Sequence, residues 1–131
     1  MRLVVDANVI VALVLARPEY DPLKGHLAVA PYLLASEATN ALSEMAFRGE
    51  IPAEAALSAI DRLADLSIEY QRPARLHPTA AAIARSLGWA KTYDAEYVAL
   101  AELLDLPLLT LDERLRRRVA GRIRVLAPSD L

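Results

Sequence analysis

The first sixteen residues constrain the fold most. Leu3-Val4-Val5 is a short apolar run that stops at Asp6, and Ala7 to Ala16 continue as an apolar helix until Arg17-Pro18 ends it. The stretch Leu3 to Ala16 is well short of the ~20 apolar residues that cross a bilayer, and Asp6 and Asn8 interrupt it. It also lacks the basic flank and cleavage site of a signal peptide. A strand that ends in a carboxylate and turns directly into a helix opens a parallel α/β unit. The same pattern returns late in the chain, where Pro107-Leu108-Leu109-Thr110-Leu111 predicts a buried strand with Asp112 at its carboxyl end and an Arg-rich helix behind it. Its proline begins the strand, where a missing donor is tolerated.

Between these two units the breakers mark out helices. Pro22, Gly25 and Pro31 punctuate a stretch in which no strand is read; Tyr32 to Arg48 then runs to Gly49 with Leu34, Ala38, Ala41, Leu42 and Met45 at helical spacing. Pro52 opens a further helix to about Leu66, with Leu57, Ile60 and Leu63-Ala64 as its apolar stripe. Ser67 to Tyr70 reads as a short strand. Pro78-Thr79 opens an Ala-rich helix to Leu87, closed by Gly88, and Thr92 or Tyr93 opens another with Ala95, Val98, Ala99, Ala101 and Leu104 inward. Ile123 to Leu126 supplies the last strand. The expected architecture is α/β, with a short, mostly parallel central sheet of four or five strands and helices on both faces. A chain of 131 residues holds about one domain, and 55% hydrophobic residues supply its core.

Composition narrows the chemistry. Thirteen Arg and two Lys stand against eight Asp and nine Glu, a net charge of -2. Non-specific nucleic-acid binders carry a large cationic excess, so any nucleic acid handled here is held locally or through a metal ion. The absence of cysteine excludes disulfides, thiolate catalysis and cysteine-ligated metals, and only His26 and His77 carry imidazoles. Both lie beside Gly or Pro in loops, and neither is paired. The expected location is soluble and intracellular, in the cytoplasm.

The acids carry the functional signal. In open parallel sheets, ligands bind at the carboxyl ends of strands near the topological switch point. Asp6 and Asp112 occupy two such ends, and Glu37 and Asp94 lie in the first turns of predicted helices that begin at that same edge. Four carboxylates gathered there repel one another unless a cation neutralises them. Oxygen ligands without cysteine suit Mg2+ or Mn2+, which in phosphodiester hydrolysis activate water and stabilise the leaving oxygen. Each aspartate taken singly also suits a helix cap. Glu37, Asn40 and Glu44 share one helical face, as a solvated face would also have it.

These residues resemble the PIN-domain ribonucleases, and within them the toxin of VapBC-type toxin–antitoxin pairs. The likeness runs through Val4-Val5-Asp6-Ala7-Asn8, Pro31 to Ser36-Glu37 with Asn40-Ala41-Leu42, Tyr93-Asp94-Ala95 with Tyr97 to Ala101, and Leu109-Thr110-Leu111-Asp112. It implies one PIN domain over residues 1–131 with a three-layer α/β/α fold. It also implies an endoribonuclease in which Asp6, Glu37, Asp94 and Asp112 hold Mg2+ or Mn2+, with Asn8, Ser36, Asn40 and Thr110 in support. RNA is then the substrate, a small VapB-like antitoxin the silencing partner, and a homodimer the assembly. The segment Pro52 to Arg75 matches only as amphipathic helix.

Arg114, Arg116, Arg117, Arg118, Arg122 and Arg124 form the one concentration of positive charge. Most read as a solvated helix face, with Arg114 and Arg116 the candidates for RNA phosphates. Tyr93, beside Asp94, is the candidate to stack on a base, whereas Trp89 and Tyr97 suit core or dimer packing. A signalling receiver-like module would need an acid beside Asp6 and a lysine at a late strand end, but position 7 is Ala7 and the only lysines are Lys24 and Lys91. A haloacid-dehalogenase phosphatase would need an aspartate where Asn8 stands. An RNA-processing nuclease without an antitoxin and a catalytically silent binding module on the same fold remain as alternatives.

Overall fold

The computed structural model describes residues 1–131. Its chain order is β1 (Arg2–Val5), α1 (Ala7–Leu15), β2 (Leu27–Ala30), α2 (Leu33–Phe47), α3 (Ala53–Asp65), β3 (Ile68–Tyr70), α4 (Leu76–Leu87), α5 (Tyr93–Leu104), β4 (Leu108–Leu109), α6 (Glu113–Val119) and β5 (Val125–Leu126), closed by a 3-10 turn at Pro128–Asp130. The five strands form one sheet in the order β3-β2-β1-β4-β5. Every pairing is parallel. From β1 the chain steps outward through β2 to β3, then crosses to the other side of β1 for β4 and β5. Right-handed crossovers then place α1, α2 and α3 on one face and α4, α5 and α6 on the other. Contacts among α1, α2 and α3, and between α4 and α5, agree with that three-layer arrangement.

The expectation of four or five mostly parallel strands is met by five, all parallel, but one was not legible. β2, Leu27-Ala28-Val29-Ala30, lies in the stretch where no strand was read, yet it pairs with both β1 and β3. Its alanines have little strand propensity of their own. Burial of Ala28, Val29 and Ala30 between two neighbours makes it a strand. The late strands are also shorter than the predicted 107–111 and 123–126, although hydrogen bonds from Leu108 N to Arg124 O and from Thr110 N to Leu126 O continue the pairing beyond them.

The helices hold two further corrections. α4 starts at Leu76, two residues before Pro78, because the first-turn N–H groups have no helical acceptor and proline loses nothing there. In α3 the inward stripe is Ala56, Ala59 and Leu63, whereas Leu57 is 65% exposed. Small alanines on that face let α3 lie close to α1 and α2. The Arg62 guanidinium donates to the Val14 carbonyl, 2.8 Å from Nε, and so closes the carboxyl end of α1. Gly88 ends α4 in the left-handed region at φ 73°, which lets Trp89 N bond back to Ala84 O at 2.8 Å.

A single apolar cluster fills both sides of the sheet, and β1 and β4 sit inside it with no exposed surface from Leu3 to Val5 or at Leu108 and Leu109. Leu42, fully buried on α2, is part of it. Leu42→Ala should lower unfolding free energy by about 2–5 kcal/mol, the range for buried Leu truncation. Chemical denaturation measures this, and a loss below about 1 kcal/mol would mean that the α2 face packs loosely.

Candidate active site

The switch point of the sheet lies between β1 and β4, and the acids collect at their carboxyl ends. Asp6 N donates to Leu109 O at 2.9 Å, tying the end of β1 to β4. The Asp6 carboxylate is buried, 7% exposed, and both oxygens are engaged: Oδ1 accepts from Ala7 N at 2.8 Å and Oδ2 from the Thr110 hydroxyl at 2.8 Å. Thr110 Oγ1 in turn accepts from Asp112 N at 3.1 Å and from Asn8 Nδ2 at 3.4 Å. Asn8 Oδ1 accepts from Leu111 N at 3.2 Å. Thr110 and Asn8 together therefore hold the turn that carries Asp112 against the end of β1.

Glu37 comes from α2 and is held from α5. The buried Tyr97 hydroxyl donates to Glu37 Oε1 at 2.6 Å, across 60 residues of sequence. Asp112 lends Oδ1 to cap α6, accepting from Arg114 N at 2.9 Å and Leu115 N at 3.1 Å. The Asp94 carboxylate, in the first turn of α5, makes no hydrogen bond to protein. The capping alternative therefore describes Asp6 and Asp112 in part and Asp94 not at all. Asp94, Glu37 Oε2 and Asp112 Oδ2 are left free to take an external partner.

The electrostatics record the convergence. Burial pushes the Asp6 carboxyl up from 3.8 to about 6; the Thr110 bond opposes the rise, and the charges of Asp94 and Glu37 add to it. Glu37 is raised by burial, against the pull of its Tyr97 bond, with Asp94 and Glu96 contributing. Asp94 is raised by desolvation and by Asp112. Burial and the neighbouring Glu37 carboxylate lift the Tyr97 phenol, so it stays a donor at any physiological pH. The four acids expected from the sequence thus form one field of mutual repulsion, although no three acidic or histidine side chains converge tightly enough to cage an ion.

The other named residues divide. Asn8 and Thr110 are built into the site. Ser36 is exposed on α2 with no bond to the acids, and Asn40 Nδ2 donates instead to Glu44 Oε1 at 3.1 Å, part of a surface chain through Glu44 to Arg48. Tyr93 is exposed beside Asp94. Arg114 borders a cavity with Asp94 and Asp112, whereas Arg116 faces Glu113 at 3.6 Å and Asp130 at 3.4 Å. Tyr97 is the residue that sequence reading underused. Its place three residues after Asp94, on the same helical face, was the available signal.

The family model described as PIN domain matches residues 3–121. The chain belongs to the PIN-domain family. Two curated relatives, each named Ribonuclease VapC1, come from Mycobacterium tuberculosis strains CDC 1551 / Oshkosh and ATCC 25618 / H37Rv. Each is 39% identical over 94 residues, 71% of this chain and 68% of the relative. Among solved structures, PAE2754 from Pyrobaculum aerophilum superposes with a TM-score of 0.74 at 25% identity, covering 99% of this chain and 94% of that one. VapBC2 from Rickettsia felis, bound to a DNA fragment from their promoter, gives a TM-score of 0.68 at 13% identity, covering 97% of this chain and 98% of that one. FitAcB from Neisseria gonorrhoeae gives 0.57 at 16% identity over the full length of both chains. These last two share the PIN fold with this chain.

The raised Asp6 carboxyl sets a pH dependence. Between its ordinary 3.8 and about 6 the folded state keeps a proton that the unfolded state releases, so stability falls as pH rises through that window. In EDTA, Asp6→Asn should be more stable than the parent at pH 7.5, by up to about 3 kcal/mol, and the gain should vanish near pH 4. Denaturation across pH tests this; a pH-independent difference would refute the desolvated charge. Tyr97→Phe should cost about 1.5–3 kcal/mol, the worth of a hydrogen bond to a charged group, measured in the same titration.

Proposed function

We propose that this chain is a metal-dependent endoribonuclease, organised as one PIN domain over residues 1–131 and acting as the toxin of a type II toxin–antitoxin pair. The observation that carries the reading is the meeting of Asp6, Glu37, Asp94 and Asp112 from four separate segments at the switch point, in a chain whose curated relatives are named ribonucleases. The donor set fits Mg2+ or Mn2+: it is all oxygen, and the charges that raise one another's carboxyls would be relieved by a cation. Mg2+ keeps several waters and takes one or two carboxylates with the substrate phosphate, so it does not need a closed protein cage.

When bound, the ion supplies charge neutralisation at the phosphate and activation of water. Asp6, Glu37, Asp94 and Asp112 would hold it, and the chain's part is to keep them in place. Thr110 and Ala7 fix the Asp6 carboxylate, and Tyr97 fixes that of Glu37 while leaving Oε2 free. The Asp112 cap fixes one oxygen and leaves the other without a protein partner. Such pre-set ligands need no rearrangement when substrate arrives.

The toxin reading brings a small VapB-like antitoxin and a homodimer as partners. Exposed apolar side chains are available to them, among them Phe47 at 92% and Tyr32 at 62%. No helix is long and apolar enough to cross a membrane. The open spacing of the carboxylates also favours a second reading, a binding module on this fold without turnover.

Purified protein incubated with total cellular RNA separates the two. Discrete new ends should appear with Mg2+ or Mn2+, disappear in EDTA, and fall by about 100-fold or more in Asp94→Asn, beyond the loss seen for outer partners of metal ligands. Absence of cleavage by folded, ion-replete protein would leave the silent module, and cleavage surviving in Asp94→Asn would overturn the site.

A further inference from the structure

The arginines after Asp112 are not equivalent. Arg116 is neutralised by Glu113 and Asp130, and Arg122 by Glu102 at 3.0 Å. Arg114 and Arg118 have no carboxylate within salt-bridge distance, yet both line a cavity of about 230 Å³ whose other walls are Trp89, Asp94, Asp112 and Leu115. Arg118 is held in place without being discharged. Its guanidinium lies over the Trp89 ring, 5.9 Å from the centroid, and donates to the Leu87 carbonyl at the end of α4. A backbone carbonyl and an indole face orient a cation but leave its charge available.

The cavity therefore has two chemistries side by side. Asp94 and Asp112 form an acidic wall continuous with the carboxylate cluster, and Arg114 and Arg118 a cationic one. A phosphodiester chain whose scissile group lies over the acids through a cation would carry its next phosphate and base past the arginines. We infer that this cavity is the subsite for one unpaired nucleotide flanking the cleaved bond, with its phosphate on Arg114 and its base stacked on the outer face of the Arg118 guanidinium. Trp89 backs that guanidinium, giving an indole, cation and base stack of the kind used to bind unpaired RNA bases. The inference rests on the ribonuclease reading and makes Arg118, in place of Arg116, the arginine that positions substrate.

Trp89 is the only tryptophan in the chain, so its emission reports on this cavity alone. The probe is an unlabelled single-stranded RNA decamer of mixed sequence, titrated with Ca2+ in place of Mg2+, and affinity is measured in parallel by anisotropy of a labelled copy. Trp89 emission should change along the binding curve. Arg118→Gln should weaken binding by about tenfold, as loss of one stacked base does. Arg116→Gln should change it less than twofold, and Arg118→Lys, which keeps charge without the planar face, should fall between them. Arg114→Gln, which leaves the Trp89 stack intact, should lower the salt slope by about one phosphate contact and keeps the test open if Arg118→Gln does not fold. Binding with unchanged Trp89 emission, equal affinities for Arg118→Gln and Arg116→Gln, or no binding at all would each overturn the subsite. Cleavage with Mg2+ or Mn2+, assayed separately, keeps the two readings apart. Turnover with a silent Trp89 removes the subsite alone, and an Arg118-dependent signal without turnover removes the nuclease reading alone.

Discussion

The arrangement depends on one buried carboxylate kept at the end of the central strand. Asp6 follows three fully buried residues of β1 and is itself almost out of solvent, so its oxygens must be satisfied locally. Thr110 and Ala7 N do this, and no buried side-chain polar atom is left unpartnered anywhere in the molecule. Because Thr110 also accepts from Asp112 N and Asn8, one hydroxyl binds the ends of β1 and β4 and the turn into α6 as a unit. The hydroxyl that makes Asp6 tolerable in the core also holds the turn that carries Asp112.

The same bargain recurs at Glu37. Tyr97 is a large, fully buried side chain of the core, and its single polar atom is spent on a carboxylate of the acid cluster. Packing of α5 thus becomes positioning of α2. These contacts leave the acids repelling one another, a cost that a cation or a proton would relieve. Elsewhere some surface charges pair with each other, as in Arg2 with Glu69 and Arg48 with Glu44 and Glu50. Beside the acids, Arg114 and Arg118 carry no ion pair, so positive charge is available next to the carboxylates in a chain of net charge -2.

Legibility in the sequence followed locality. β1, β3, β4 and β5 and all six helices were readable within a few residues, because apolar runs, prolines and Gly88 act over one or two turns. The strand missed was β2, whose Ala-rich tetrapeptide carries no strand signal and is shaped by its neighbours on both sides. Leu57 was read as inward because its spacing allowed it, but the space over α1 and α2 admits Ala56 and Ala59. The four acids were legible from their places at strand ends and helix starts and Asn8 and Thr110 from the family resemblance, and the structure joins Asp6, Asn8, Thr110 and Asp112 in one hydrogen-bonded group. Asn40, expected to support the acids, donates to Glu44 instead, a choice of rotamer that spacing does not encode.

Residue identity alone narrowed the chemistry on offer: without cysteine and with only two histidines, ligands are mainly oxygen, and short apolar strands ending in aspartate point to a parallel sheet with its acids on one edge. Which groups touch was settled by packing. Tyr97 meets Glu37 across 60 residues and Thr110 meets Asp6 across 104. Arg118 is set over Trp89 while Arg116 is discharged by Asp130, although the two arginines are separated by a single residue. Local pattern fixes the turn and face of a side chain, but its partner is decided by whatever the rest of the chain brings within a few ångströms.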